Sequence, residues 1–351
     1  VYDRNKELET YAYNFIHTNK PEEVFNMKFD VIIGNPPYQL TTGGSSAQAV
    51  PLYHKFVQQA KKLNPRYLTM IIPGRWYAGG MGLDEFRSEM LSDKRIRKLI
   101  DYPNAGDCFP GIELRGGVCY FLWDRDNLGE CEYTNISNGS RNTMTRNLQD
   151  SPVFIRWNQA IGIAKKVQSL KELSLSGIVS SVSPFGLSTS TRGSSQSNND
   201  SLVVYSSQGT GYISIDSIKS GGNLAKKYKV LLSRPISGNL EVPPFKVISL
   251  LKTLKPNEVC THTYLTVGSF NDEDSANNLK SYLETRFVRF LLVLSISGMD
   301  ISKDKFRYVP MQNFSESWSD EKLYKKYGLS QDEIKFIESM IKPMGGVANG
   351  K

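Results

Sequence analysis

The sequence predicts an α/β fold, an open sheet with crossover helices, followed by a β-rich domain and a helical carboxy-terminal region. Three observations predict it. Over residues 1–148, short apolar runs alternate with stretches of helical period. Over 149–272, short β-type runs recur between polar turns, and over 273–351 helical periodicity returns with cap residues at its ends. A chain of 351 residues has room for this, because single cores tend to stop growing near about 250–300 residues.

In the first region "FDVII" (29–33) reads as a short strand, apolar on both faces. "VPLYHKFVQQAKKL" (50–63) places Leu52, Phe56, Val57 and Ala60 on one helical face, and "YLTMIIP" (67–73) is a second buried strand. "LDEFRSEMLSD" (83–93) is an amphipathic helix, and "IRKLIDY" (96–102) and "GGVCYFLWD" (116–124) are two further strands. Strands alternating with helices imply a mostly parallel sheet. Such sheets bind ligands at the carboxyl ends of their strands, where Asn35 falls.

From about residue 125 the pattern weakens. "SSVSPFGLSTSTRGSSQSNND" (180–200) offers turn formers and little apolar surface, and a long mobile loop is expected there. The strands "LVVYSS", "YISID", "YKVLLSR", "FKVISL" and "TYLTV" then suggest the β-rich domain. In the tail, helices are expected over 275–295 and in "SDEKLYKKYG" and "LSQDEIKFIESMIK", with Ser319 as a cap and Gly328 as a stop.

Composition narrows the function classes. No run approaches the roughly 18 apolar residues that a membrane span needs, since "RFLLVLSISG" (289–298) is short and broken by serines. The amino terminus lacks a secretory pattern and an initiator methionine, so a piece of a longer protein is expected. Cys108, Cys119, Cys131 and Cys260 show no Cys-x-x-Cys spacing and the three histidines lie far apart, which argues against a metal cage or a disulfide framework. A net charge of +8 favours a polyanionic partner.

The most informative stretch is "FDVIIGNPPYQLTTGG" (29–44). Two consecutive prolines after a strand make a rigid platform, because each ring fixes φ and removes a donor. On it the Asn35 side-chain carbonyl and the Pro36 main-chain carbonyl can serve as converging acceptors, with Pro37 holding the turn. Two neutral acceptors suit an amino group. If that group is the exocyclic nitrogen of a nucleobase, accepting both its hydrogens draws its lone pair out of ring conjugation and makes it nucleophilic. Tyr38 adds a flat face for a base removed from its helix. Extrusion costs a few kcal/mol, and aromatic stacking returns about 1–3 kcal/mol.

"FDVIIGNPPY" resembles the catalytic motif of the amino-directed DNA methyltransferases, in the N6-adenine branch. The resemblance implies a partial Rossmann-like methyltransferase sheet, S-adenosylmethionine as cofactor, double-stranded DNA as partner and a place in the bacterial cytoplasm. It also implies further site residues. In "AYNFIHT", Asn14 stands where the family has an acidic or polar cofactor contact at a strand end. In "DCFPGIELRGGVCYFLW", Phe109 takes the position of the aromatic that meets the flipped base opposite the tyrosine. "IIPGRWYAGG" brings Arg75 and Trp76 toward the cleft, where Arg75 either contacts a phosphate or base edge or packs beside Trp76. "YAGGMG" (77–82) lies downstream of the catalytic turn and so cannot be the family's glycine-containing cofactor loop. That motif is expected outside the chain, and the fragment alone is expected to be inactive.

The stretch "KSGGNLAKKYKVLLSR" (219–234) carries Lys219, Lys226, Lys227, Lys229 and Arg234 and no acidic residue. It is either a phosphate-binding surface or a solvated basic face. Arg192, in the polar loop, is positioned either to read base edges or to sit in a disordered linker. With the tail, residues 150–342 resemble the target-recognition part of large single-chain restriction-modification enzymes of the type IIG kind, in which a nuclease, sometimes with a helicase, precedes the methyltransferase. No nuclease pattern is assignable here.

Other readings share the turn. Methylation of an amino or amide group in RNA or on a protein glutamine would use the same acceptors, though the basic β-rich domain fits a compact glutamine methyltransferase poorly. Cytosine N4 methylation is less favoured, since that branch more often has Ser at the Asn35 position. A non-enzymatic alternative is a sequence-specific DNA-binding module in which the turn is vestigial.

Overall fold

The computed structural model describes residues 4–25, 27–40, 50–78, 82–150, 154–198, 200–238, 240, 242–296 and 300–344. The chain divides between Asn158 and Gln159 into two compact units. In the first, α1 (Arg4–His17) and α2 (Pro21–Phe25) precede β1 (Val31–Gly34), and a short ladder joins β2 (Gln39–Leu40) to β3 (Val50–Pro51). There follow α3 (Tyr53–Lys62), β4 (Tyr67–Pro73), α4 (Asp84–Ser92), β5 (Ile96–Tyr102), β6 (Val118–Asp124), β7 (Cys131–Ser137) and β8 (Ser140–Arg146).

These strands form one sheet in the order β1-β4-β6-β5-β7-β8. The mostly parallel sheet read from the sequence is corrected to a mixed one. Only β1–β4 and β5–β7 are parallel, while β6 runs antiparallel to both β4 and β5 and β7–β8 is a hairpin. A parallel return needs a crossover, usually a helix, and the link from β5 to β6 contains only turns and the 3-10 turn Ala105–Asp107, so the chain comes back in the opposite sense. The β7–β8 turn is Asn138-Gly139 with φ of 50° and 74°, the left-handed pair that a tight hairpin requires.

Val57, Leu68, Ile72, Phe86, Leu99, Phe121, Trp123 and Tyr133 are sealed in the core of this unit. β1 departs from expectation. Ile32 packs on the core, but Val31 is 50% and Ile33 77% exposed, because among the described residues β1 is an edge strand with its other face uncovered.

The second unit contains α5 (Asn158–Ser169, whose first residue closes the first unit), β9 (Ser201–Ser206), β10 (Gly209–Ser214), α6 (Gly222–Ala225), β11 (Tyr228–Ser233), β12 (Ile236–Ser237), β13 (Val247–Ile248), β14 (Leu251–Leu254), β15 (Glu258–Cys260) and β16 (Tyr264–Phe270). Three-stranded sheets β10-β9-β15 and β14-β11-β16 give it β-rich character. The tail holds α7 (Glu273–Glu284), α8 (Arg286–Val293), α9 (Asp320–Lys326) and α10 (Gln331–Met340). The single helix expected over 275–295 is two, because Thr285 adopts an extended backbone and its hydroxyl accepts the Val288 N–H to start α8. Ser319 caps α9 as expected, and Ser330 with Glu333 forms a capping box on α10.

Candidate active site

Strand directions bring three segments to one end of the first sheet. β1 and β4 are parallel with Gly34 beside Met70, so the Asn35–Tyr38 turn and residues 74–78 leave the sheet on the same side. Pro73 pairs with Val118, and Val118 with Tyr102, so residues 103–117 arrive there too. Gly117 is obligatory at this junction. Its φ is 71°, and a β-carbon would lie 1.9 Å from the Tyr102 carbonyl oxygen. The Gly74 N–H donates to the Gly117 carbonyl at 2.9 Å, tying the segments together.

Within this convergence Asn35 is exposed, and its side chain makes no hydrogen bond among the described residues. Pro36 is buried and Pro37 exposed. The turn is anchored on its far side, where the Leu52 N–H, at the start of α3, donates to the Tyr38 carbonyl at 3.0 Å.

Tyr38 is half-buried, packed against the core, and its hydroxyl has no partner among the described residues. Burial raises its pKa, and the Cys119 and Cys108 thiols add to this. The phenol is thus a poorer acid than usual, which suits a stacking ring better than a proton donor. Cys108, close enough to act on Tyr38, is the chain neighbour of half-buried Phe109, so both aromatics predicted to hold a base lie in one neighbourhood.

Arg75 is exposed on the 3-10 turn Gly74–Ala78 and acts electrostatically on buried Tyr53, at the start of α3. Trp76, on the same turn, is fully buried, with its indole N–H 3.4 Å from Cys119 Sγ and its ring against Tyr77 and Phe86. The packing of Arg75 on Trp76 is not found among the described residues.

Beneath the site lies a network that sequence reasoning missed. Asp101, at the end of β5 and fully buried, accepts from Arg156 Nε and Nη2 at 2.8 and 2.6 Å, from the Tyr133 hydroxyl at 2.9 Å and from Asn135 Nδ2 at 3.0 Å. Arg156 also lies over the Tyr77 ring, 5.2 Å from its centroid. Burial opposes the charge on Arg156, but the Asp101 carboxylate and its hydrogen bonds outweigh this and hold the Arg156 pKa above its usual value, so the guanidinium stays charged. The one available signal was a carboxylate inside an apolar strand.

Asn14 is not at a strand end. It lies exposed on α1, with its carbonyl accepting the Thr18 N–H at 3.0 Å. An exposed helical asparagine offers a cofactor adenine no cradle, so the described residues do not by themselves fit S-adenosylmethionine at that position.

Residues 1–109 match the Eco57I restriction-modification methylase family. This methylase-like segment contains the Asn35–Tyr38 turn and Phe109. A 134-residue part of the chain is 41% identical to an uncharacterized adenine-specific methylase of Mycoplasma pneumoniae, covering 35% of this chain and 31% of that protein. The chain thus spans about a third of the curated relative. Among solved structures, the type IIL restriction-modification enzyme MmeI in complex with DNA superposes with TM-score 0.46 at 10% identity, over 84% of this chain and 47% of that one. The type IIG restriction endonuclease BpuSI gives TM-score 0.38 at 12% identity, over 89% of this chain and 49% of that one. The likeness to the restriction-modification methylase family covers the segment that carries the turn.

The residues picked for DNA contact in the second unit divide. Lys226 is exposed, and Lys227 donates to Asn271. Lys229 is corrected: it is fully buried and donates to the carbonyls of Ala225, Lys227 and Lys255 at 3.1, 2.9 and 3.2 Å. Burial pulls its pKa down to about 8. Arg234 is likewise engaged, with Nη1 2.8 Å from His262 Nδ1 and Nη2 3.2 Å from Asp300. Arg192 is exposed, and the loop that carries it is pinned rather than mobile: Ser194 and Tyr212 exchange main-chain hydrogen bonds of 2.8 and 2.9 Å.

Proposed function

We propose that the chain carries the catalytic turn and the target-recognition part of an S-adenosylmethionine-dependent methyltransferase that modifies adenine N6 at a specific DNA sequence within a restriction-modification system. The observation that supports this most is Asn35, exposed and without a partner among the described residues at the carboxyl end of β1, on a turn anchored through Tyr38 to α3. The Asn35 side-chain carbonyl and the Pro36 carbonyl accept the two N6 hydrogens, which localises the nitrogen lone pair. Tyr38 and Phe109 hold the extruded ring. Arg75 contacts the backbone or a base edge at the cleft, and exposed Lys226 contacts phosphates. S-adenosylmethionine supplies an electrophilic methyl group.

Residues 1–148 form the catalytic part, 149–272 the target-recognition domain and 273–351 a helical region closing the chain. The edge and face of β1, uncovered among the described residues, support contribution of the cofactor-binding part by further polypeptide pairing with that strand. The 351-residue chain alone is then inactive. We place any fused nuclease or helicase upstream, and the reaction in the bacterial cytoplasm.

The test is transfer of labelled methyl groups from S-adenosylmethionine to adenine in duplex DNA, by the intact natural protein, its Asn35→Ala variant and this chain. Transfer by the intact protein alone supports the proposal. Sequence-specific binding without transfer by any of the three would favour a recognition module in which the turn is vestigial.

A further inference from the structure

We infer that the β9–β10 hairpin, with residues 188–198 laid along it, is a base-reading element that presents Arg192 and Gln208 to a guanine in the DNA major groove. This rests on the adenine-methyltransferase reading and adds to it the element and the base that select the site.

The loop is held where its composition gives no reason for it to be. It has almost no apolar surface, yet Ser194 is bridged to Tyr212 on β10. Gly193 and Gly211 meet backbone to backbone: a β-carbon on Gly193 would come within 2.5 Å of Gly211, and one on Gly211 within 2.7 Å of Gly193. Such contact is open only to glycines. It fixes the polar side chains of the loop on the ribbon in advance, which lowers the ordering cost of binding. The ladder of β9 to β15 ends at Tyr205, so the element is two-stranded only at its tip, Ser206–Gly209, and a two-stranded ribbon is one of the two elements that the major groove admits.

The charge pattern agrees. Residues 201–215 contain no charged side chain, and the flanking carboxylates Asp200 and Asp216 lie at the base of the hairpin, away from its tip at Ser207–Gln208. At the tip Arg192 Nε donates to Gln208 Oε1 at 2.7 Å, and Arg192 Nη1 donates to the carbonyls of Thr189 and Thr191 at 2.6 and 2.9 Å. Both side chains are exposed, and neither Arg192 Nη2 nor Gln208 Nε2 has a partner among the described residues. Two NH2 groups without a partner among the described residues are therefore carried by exposed side chains that one hydrogen bond ties together. In the major groove, guanine shows two acceptors and no donor, whereas thymine shows one acceptor beside a methyl group, adenine pairs an acceptor with a donor and cytosine shows a donor. The base that matches two donors is guanine.

The test is selection of binding sites from a random duplex pool by the full chain and by its Gln208→Ala, Gln208→Glu and Arg192→Ala variants. Expected is a wild-type site with guanine at one position. Gln208→Ala should lower that preference roughly 5–150-fold with the other positions unchanged, and Gln208→Glu, which replaces a donor by acceptors, should move it toward cytosine. The Gln208 variants alter an exposed side chain and should melt as the wild type does. An unchanged site in all three variants, or a uniform loss of affinity over all sequences, would overturn the inference. A wild-type chain that selects no sequence would defeat the underlying reading, and this inference with it.

Discussion

The Asn35–Tyr38 turn and the basic stretch from Lys219 to Arg234 were both conspicuous in the sequence, and they fare differently in the fold. In the turn, placement follows from the main chain: a strand delivers Asn35, two prolines fix the path, and one hydrogen bond from Leu52 anchors Tyr38. In the basic stretch, five similar cations have different tasks. Lys219 and Lys226 are exposed, Lys227 bonds to Asn271, Lys229 is sealed under three carbonyls, and Arg234 is held between His262 and Asp300. A motif defined by backbone geometry can be read locally. A cation's task is set by neighbours far away in sequence.

Breaking the turn should have the largest effect. If Asn35 accepts from the reacting nitrogen as proposed, Asn35→Ala removes that acceptor, and methyl transfer by the intact protein should fall by about 10²–10³-fold or more while duplex affinity barely changes. Equal loss of binding and transfer, measured by titration and by labelled-methyl incorporation, would leave the turn a structural element only. Next comes the glycine junction beneath it. Gly117→Ala puts a β-carbon into the Tyr102 carbonyl at a left-handed φ, and it should cost about 3 kcal/mol or more, read from the urea midpoint. A midpoint within the range of an ordinary surface change would mean that the three segments are not locked as described.

The same contrast explains what was legible. The strands at 31–34, 67–73, 96–102 and 118–124 follow from apolar runs bounded by turn formers, and the caps at Ser319 and Gly328 from local chemistry. The antiparallel insertion of β6 was not legible, because apolar content gives a strand's existence and not its direction. The β7–β8 hairpin could have been found from Asn138-Gly139 between alternating residues. Asn14 was placed by analogy to a strand end, but the residues around it form a helix whose last turn is held by Gln59, which donates to the carbonyls of Phe15 and Thr18. Asp101 and Arg156 lie 55 positions apart, and no local pattern joins them.

Lys229 sharpens the comparison through pH. Its pKa is near 8 in the folded protein and near 10.5 when free. Between those values the unfolded chain binds the additional proton, so stability should rise as pH increases from about 8 to about 10.5, and the cost of the buried charge is fully present below pH 8. The swing is on the order of 3 kcal/mol. Chemical unfolding of the wild type and of Lys229→Met across that range isolates it, since the buried tyrosines titrate in both proteins. Parallel profiles would show that Lys229 keeps its solvent pKa and is not the dry strut the geometry describes.

The smallest effect separates surface cations from structural ones. Lys226 is exposed, and if it meets a phosphate, Lys226→Gln should reduce the slope of log affinity against log salt by about 0.9 and weaken all sequences alike. Lys229→Gln should leave the slope as it was, because its ammonium faces carbonyls and releases no counterion on binding. Fluorescence titration of one duplex at several salt concentrations reads both. If the two substitutions lower the slope equally, burial does not decide which cations touch DNA, and the division drawn within this stretch fails. If only Lys226→Gln does so, two lysines three positions apart are shown to have unrelated tasks.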